Sequence, residues 1–170
     1  MELLREISDA DIGEPAAAAE DLRYEFRRAV RAVLFDPAGR IALMNISRRG
    51  YHKLPGGGVE PSEDLEAALR REVREETGGE IKIRAPLGAT IERRDAKGLL
   101  QVSYCYFAEL AGKPGRTALT ESETADGFQL EWVSVEEADR KLKSDRPAEY
   151  WEKFIVARDR VFISRAMDAR

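Results

Sequence analysis

Two apolar runs, "AVRAVLF" at 29–35 and "RIALMNI" at 40–46, flank the turn "DPAG" and predict a hairpin. A short strand at "HKLP" (52–55) follows it. Further on, "EIKIRAPLGATIE" (80–92), "LLQVSYCYFAEL" (99–110) and "GFQLEWVS" (127–134) are rich in β-branched and aromatic residues and predict three more strands. Ser134 and Glu137 form a capping box that opens a short helix. In "PAEYWEKFIVARDRVFISRAMD" the residues Tyr150, Trp151, Phe154, Ile155, Arg158, Val161 and Phe162 recur at helical spacing, which predicts a terminal helix with its aromatic stripe in the core. The first 22 residues, including "EPAAAAED", show no strand pattern and read as a tail or a loosely docked helix. Arg28, Arg31, Arg93 and Arg94 read as solvated strand ends. The order of elements predicts a mixed sheet with helices on both faces, in a single domain spanning 1–170.

Between the third and fourth predicted strands, "REVREETG" (71–78) places Glu72, Glu75 and Glu76 within five positions. On a helix Glu72 faces both of the others, and like charges so spaced destabilise by roughly 0.2–0.5 kcal/mol per pair. A solvated face neutralised by Arg70, Arg71 and Arg74 is the ordinary explanation of such a run. Helical phase opposes it. Leu65, Leu69, Glu72 and Glu76 share one azimuth, so the carboxylates point where the leucines point, while the arginines project to the other side, away from Glu72 and Glu76. Carboxylates aimed at a protein body are normally paired, protonated or bound to metal. A hard divalent cation with oxygen ligands, Mg2+ being usual beside phosphates, resolves the repulsion.

The lead-in "LPGGGVEPSEDLEAALRREVREETGG" supplies a glycine run that lets backbone approach a ligand closely. Pro61 and Ser62 predict the helix start, with Ser62 as N-cap and Glu63 and Asp64 in the first turn, and Gly78 predicts the stop.

These residues resemble the box of the Nudix hydrolase family, G-x5-E-x7-R-E-U-x-E-E-x-G-U, where U is a bulky aliphatic residue. Gly57, Glu63, Arg71, Glu72, Val73, Glu75, Glu76 and Gly78 match it in type and spacing, and Leu54-Pro55-Gly56 matches the family's lead-in. Gly79 departs from it, which leaves Ile81 to anchor the turn after the helix. The resemblance implies an α/β/α sandwich and Mg2+- or Mn2+-dependent hydrolysis of a phosphoanhydride. It also implies that Glu72, Glu75 and Glu76 are metal ligands, that the Gly56 carbonyl is a further one, and that Arg71 is an orienting residue paired to Glu75 or Glu63. Glu63 lies on the far side of the helix by phase, in a supporting role. Family members often add a late-loop carboxylate, for which Glu121 and Glu123 are the candidates, and His52 and Lys53 are candidates to reach a substrate phosphate. The substrate implied is a small molecule, either a nucleoside diphosphate linked to another group or a nucleoside triphosphate. Motifs of the NADH, coenzyme A and ADP-ribose subfamilies are missing. A non-catalytic nucleotide sensor and an isoprenoid isomerase share the fold. The isomerase needs a cysteine in its own motif, and Cys105 in "SYCYF" has no such context.

Net charge is −4, with charged residues making up 35% of the 170 and interspersed, so nothing favours nucleic acid or an anionic membrane as partner. No apolar run is long enough to span a bilayer and the N-terminal stretch lacks a signal core, which together predict a cytoplasmic protein; a homodimer is the candidate assembly. The single Cys105 cannot form an internal disulfide and reads as a core residue.

Overall fold

The computed structural model describes residues 1–15 and 23–169. Strands β1 (Leu3–Ile7), β2 (Glu25–Phe35), β3 (Ile41–Ile46), β4 (Tyr51–Lys53), β5 (Glu80–Arg94), β6 (Leu99–Ala111) and β7 (Phe128–Val133) form one mixed sheet. It runs β1-β5-β6-β2-β3-β4, with β7 on the other side of β3. Helix α1 (Leu65–Thr77) follows β4, α2 (Glu121–Asp126) precedes β7, and α3 (Val135–Ser144) and α4 (Tyr150–Asp168) close the chain.

Alternation along β2 sends its residues to two cores. Val30, Ala32 and Leu34 pack with Ala68, Leu69 and Val73 of α1, whereas Val33 joins Cys105 and the α3–α4 residues Leu142, Phe162 and Ile163. The sheet is therefore sandwiched between α1 and the α3–α4 pair, as the sequence implied. Parallel pairing of β2 with β6 buries the middle of β2 on both faces, from Ala29 to Leu34.

Four expectations are corrected. The N-terminal segment contains a strand, β1, parallel to β5, and a 3-10 turn at Asp9–Ile12 whose Asp9 accepts a hydrogen bond from the Tyr150 hydroxyl at 2.6 Å; most of "EPAAAAED" lies outside the described residues. Five residues with one fully buried side chain carry too little periodicity to register as a strand. The N-cap of α1 is Asp64, whose carboxylate accepts from Ala67 N at 2.7 Å, and not Ser62. A reciprocal turn, Glu63 N to Glu60 O and Glu60 N to Glu63 Oε2, uses the residues around Ser62 before the helix begins. Arg31 and Arg94 are buried, not solvated, because both lie on the sheet face covered by α4. Arg94 stacks there against Trp151 and Phe154 at 5.1 and 5.2 Å. Phe154, Arg158 and Phe162 of the terminal stripe are in the core, but Trp151 is 41% exposed.

Gly78 ends α1 in the left-handed region at φ 70°, and its carbonyl accepts Gly115 N while Glu75 O accepts Ala118 N at 2.7 Å. The β6–α2 loop is thereby fastened to the end of the carboxylate helix. A Cβ at Gly78 would lie 2.5 Å from Gly115 O. Gly78→Ala is accordingly expected to destabilise by about 1–3 kcal/mol, combining left-handed strain with this collision. Urea unfolding should show a lower midpoint at unchanged slope; a loss under ~0.5 kcal/mol would mean that the loop is not held this way.

Candidate active site

The glycine loop docks on β2 as a strand-like segment. Ala32 N donates to Pro55 O, Val30 N to Gly57 O and Val59 N to Arg28 O, at 2.9–3.0 Å. Gly56, at φ 131°, touches β2 so closely that a Cβ would strike Val30 O. At Gly57 a Cβ would strike the Glu72 carboxylate. The two glycines therefore let main chain wrap directly around the carboxylates of α1, and Gly56 N donates to Glu76 Oε2 at 2.8 Å.

Glu76 is 1% exposed, and burial raises its pKa against the opposing pull of Lys53. Lys53 Nζ sits 2.6 Å from Glu76 Oε1 and donates to Gly56 O at 3.2 Å. The ammonium is close to Oε1 but out of line, so this buried oxygen has no hydrogen-bond partner among the described residues. Two of the oxygens assigned to a metal, Glu76 Oε1 and Gly56 O, thus already converge on a positive charge. Lys53 was expected to face a substrate phosphate and instead faces Glu76. His52 points the other way along β4 and pairs through Nδ1 with Asp145 at 3.0 Å. Strand alternation separates the two, and only Lys53 belongs to the site.

Arg71 knits the outer side. Its guanidinium donates to both Glu63 oxygens at 2.7 and 2.9 Å, to Glu72 Oε1 at 2.9 Å, to Glu75 Oε2 at 3.4 Å and to Gly58 O at 3.0 Å. The Glu63 and Glu75 partners are as expected. The contact with Glu72 corrects the phase-based reading, since a long, five-donor side chain reaches around the helix flank. The Arg71 hydrogen bonds hold the Glu63 carboxyl down at about 2, and Glu63 in turn raises the Arg71 pKa. Glu63 so fixes Arg71 and does not face the carboxylate group itself.

Glu123 is committed locally, its carboxylate accepting from Thr120 N and Oγ1 at 2.8 Å, and Glu121 is exposed in the same first turn of α2. Neither is drawn to α1 by a hydrogen bond or ion pair. Among the described residues, no three His, Cys, Asp or Glu side chains converge as a ready metal cage; Glu72 and Glu76 are turned to Arg71 and Lys53. The donor set nevertheless fits a hard cation: all-oxygen, carboxylate-rich and already gathered around ammonium and guanidinium charge. At Gly79, Leu110 fills the space a side chain would need and Ile81 is buried nearby, so the departure from the box leaves the carboxylates undisturbed. Cys105 is fully buried, and burial pushes its thiol well above the usual range, which removes it from nucleophilic chemistry.

Sequence reasoning missed a buried polar cluster beneath the loop. Arg31 Nη1 donates to Gly57 O at 3.1 Å, Asp159 Oδ2 accepts Leu54 N at 2.8 Å, and Arg158 Nε donates to Asp159 Oδ1 at 2.7 Å. Burial and the neighbouring Arg158 lower the Arg31 pKa to about 10. Burial opposes ionisation of Glu92, but Arg158 and Arg94 outweigh it and leave its pKa lowered. A signal existed for this cluster: Arg158 falls inside an otherwise apolar helical stripe.

The profile of the NUDIX domain matches residues 25–154. Diphosphoinositol polyphosphate phosphohydrolase 3-alpha of Mus musculus is 34% identical over 102 residues, which cover 59% of this chain and 58% of that protein. The RNA pyrophosphohydrolase of Caulobacter vibrioides is 47% identical over 57 residues, 32% and 33% of the two chains. The chain thus spans 58% of the length of the first of these relatives and a third of the second. In fold it is similar to a NUDIX hydrolase from Nitrosomonas europaea, with TM-score 0.63 and 21% identity over 85% of this chain and 90% of that one. With a family profile spanning most of its length and a box whose glycines and carboxylates meet in space, the chain belongs to the NUDIX domain family.

Proposed function

We propose that the protein is a pyrophosphohydrolase acting on the phosphoanhydride of a nucleoside diphosphate linked to another group, of a nucleoside triphosphate, or of a related phosphorylated compound. The observation that carries this reading is the convergence of Glu76 and the Gly56 carbonyl on a single positive charge, beside a loop whose Gly56 and Gly57 have no room for a side chain. Relatives named for action on diphosphoinositol polyphosphates and on RNA support a range wider than mononucleotides.

Glu72, Glu75, Glu76 and Gly56 would hold Mg2+ or Mn2+, which when bound neutralises phosphate charge and lowers the pKa of water. The protein's own groups do the rest. Arg71, locked by Glu63, holds Glu72 and Glu75 at fixed spacing along α1. A carboxylate of the set takes the proton of the attacking water, and the glycine loop keeps side chains out of its path. Lys53, whose ammonium lies against Glu76 Oε1 and the Gly56 carbonyl, balances the charge of Glu76 and would turn to a phosphate oxygen when metal takes its place. Asp159 and Arg31 pin the loop from beneath.

The test is a panel of nucleoside triphosphates, nucleotide sugars, dinucleotides and a diphosphoinositol polyphosphate, incubated with Mg2+ or Mn2+ and scored for phosphate or pyrophosphate release. At least one member should be cleaved, and EDTA should abolish cleavage. Survival of the whole panel at high protein concentration would sink the hydrolase reading and favour a non-catalytic sensor.

A further inference from the structure

Beside Glu75, on the outer flank of α1, lies a concavity of about 510 Å3 lined by Arg70, Arg71, Arg74, Glu75, Glu80 and Arg116. Four arginines face two carboxylates, a local reversal of charge on a chain whose net charge is −4. Arg71 is already consumed by Glu63, Glu72 and Glu75. The other three are not balanced. Arg70 donates to the Ile81 carbonyl, and its nearest carboxylate, Glu66, is 3.9 Å away. Arg74 meets Glu80 at 3.3 Å with both side chains more than 60% exposed, a pair that water screens to little worth. Arg116 makes no hydrogen bond or ion pair with any described residue.

Arg116 is not carried there by a loose loop. The backbone bonds Ala118 N to Glu75 O and Gly115 N to Gly78 O clamp its segment to the last turn of α1, so three cationic side chains rim a fixed bowl that Glu75 of the carboxylate set also lines. Guanidinium groups in this arrangement suit tetrahedral oxyanions, which they engage through two donors at once. We propose that this bowl is a binding site for a phosphomonoester on the substrate beyond the scissile anhydride, so that the preferred substrate is phosphate-dense and not a singly linked nucleotide. The proposal rests on the pyrophosphohydrolase reading for its place in catalysis but not for the binding site itself.

Inositol hexakisphosphate separates the two, because it carries six phosphomonoesters and no anhydride and cannot be turned over. Calorimetry without divalent metal should show it binding the parent protein, with affinity falling as NaCl is raised. The Arg74→Ala/Arg116→Ala protein should bind it at least about tenfold more weakly, the loss of one charge-assisted hydrogen bond or more. Arg116→Ala alone, at an exposed position without partners, serves if the double variant fails to fold, and should still lose about threefold. Undetectable binding by the parent, or equal binding by parent and variants, would overturn the site. In turnover assays the variants should raise KM for a diphosphoinositol polyphosphate with kcat unchanged, and leave KM for a nucleotide sugar unchanged. An equal rise for both substrates would overturn the link to substrate choice. If no anhydride is cleaved but the variants lose hexakisphosphate binding, the hydrolase reading fails and the anion site stands.

Discussion

Glu76→Gln is expected to lower turnover at least about a hundredfold, the scale of losing one positioned group aimed at transition-state charge. The substitution is nearly isosteric, and Gln can still accept from Gly56 N, so the loop geometry survives while the charge opposite Lys53 is lost. A second readout separates charge from folding. Ligand bound only by the native state stabilises it by RT ln(1 + [L]/Kd), about 2.7 kcal/mol at a hundredfold excess over Kd. Saturating Mg2+ should therefore raise the melting temperature of the parent by several degrees and that of Glu76→Gln much less. Cys105→Ser should stay within about threefold of parental turnover. Equal Mg2+ shifts in parent and Glu76→Gln would remove Glu76 from the metal set, and a strong Cys105 effect with a mild Glu76 effect would overturn the assignment of the chemistry.

Asp159→Ala should be the most damaging substitution for stability, at about 3–5 kcal/mol. Asp159 and Arg158 are both fully buried, and Arg158 Nη1 and Nη2 have no hydrogen-bond partner among the described residues, with Glu92 3.6 Å from Nη1. Removing Asp159 leaves this guanidinium without its directly bonded partner and orphans Leu54 N at the mouth of the glycine loop. Against a total stability of about 5–15 kcal/mol such a loss is severe. Asp159→Asn keeps an acceptor for Leu54 N but not the charge, and should fall between parent and Ala. Denaturant unfolding of the three proteins decides the matter; a cost for Asp159→Ala under ~1 kcal/mol would show that Glu92 alone compensates Arg158.

How much of this was legible in the sequence follows from the kind of interaction involved. The carboxylate helix, its glycine stop and the β2–β3 hairpin were readable, because they rest on periodicity and on residues such as Gly78 and "DPAG" that act locally. The pairing of Arg71 with Glu63 was readable because both belong to one motif of fixed spacing. Lys53 was placed at the site, but its contact with Glu76 was not foreseen, since Glu76 lies on another element and only the docking of the loop on β2 sets their distance. Arg31, Arg94 and Arg158 were misjudged or passed over for a related reason. A charged residue in a strand or helix reads as solvated unless its burial can be seen. Arg94 and Arg158 have carboxylates close by in sequence, Glu92 and Asp159, but what buries them is the packing of α4 on the sheet, which also brings Arg158 to Glu92 from far away in the chain. Ser62 was displaced by a competing turn one step upstream, a short-range rivalry that cap preferences alone do not rank.

The unexpected β1 has a consequence for the sheet's outer boundary. Without it the fifteen-residue β5 would present a long row of free amide and carbonyl groups, an open template on which another chain could add a strand. With β1 in place the stretch Ala89–Glu92 of β5 is paired, and the outermost strand there is the five-residue "LLREI", with Arg5 and Glu6 on it and a register irregularity between Leu3 and Arg5. Short length, charge and broken register are the features by which proteins discourage edge-to-edge aggregation. The segment with the faintest pattern in the sequence thus acts as a selvedge, and its work is to keep the sheet from growing.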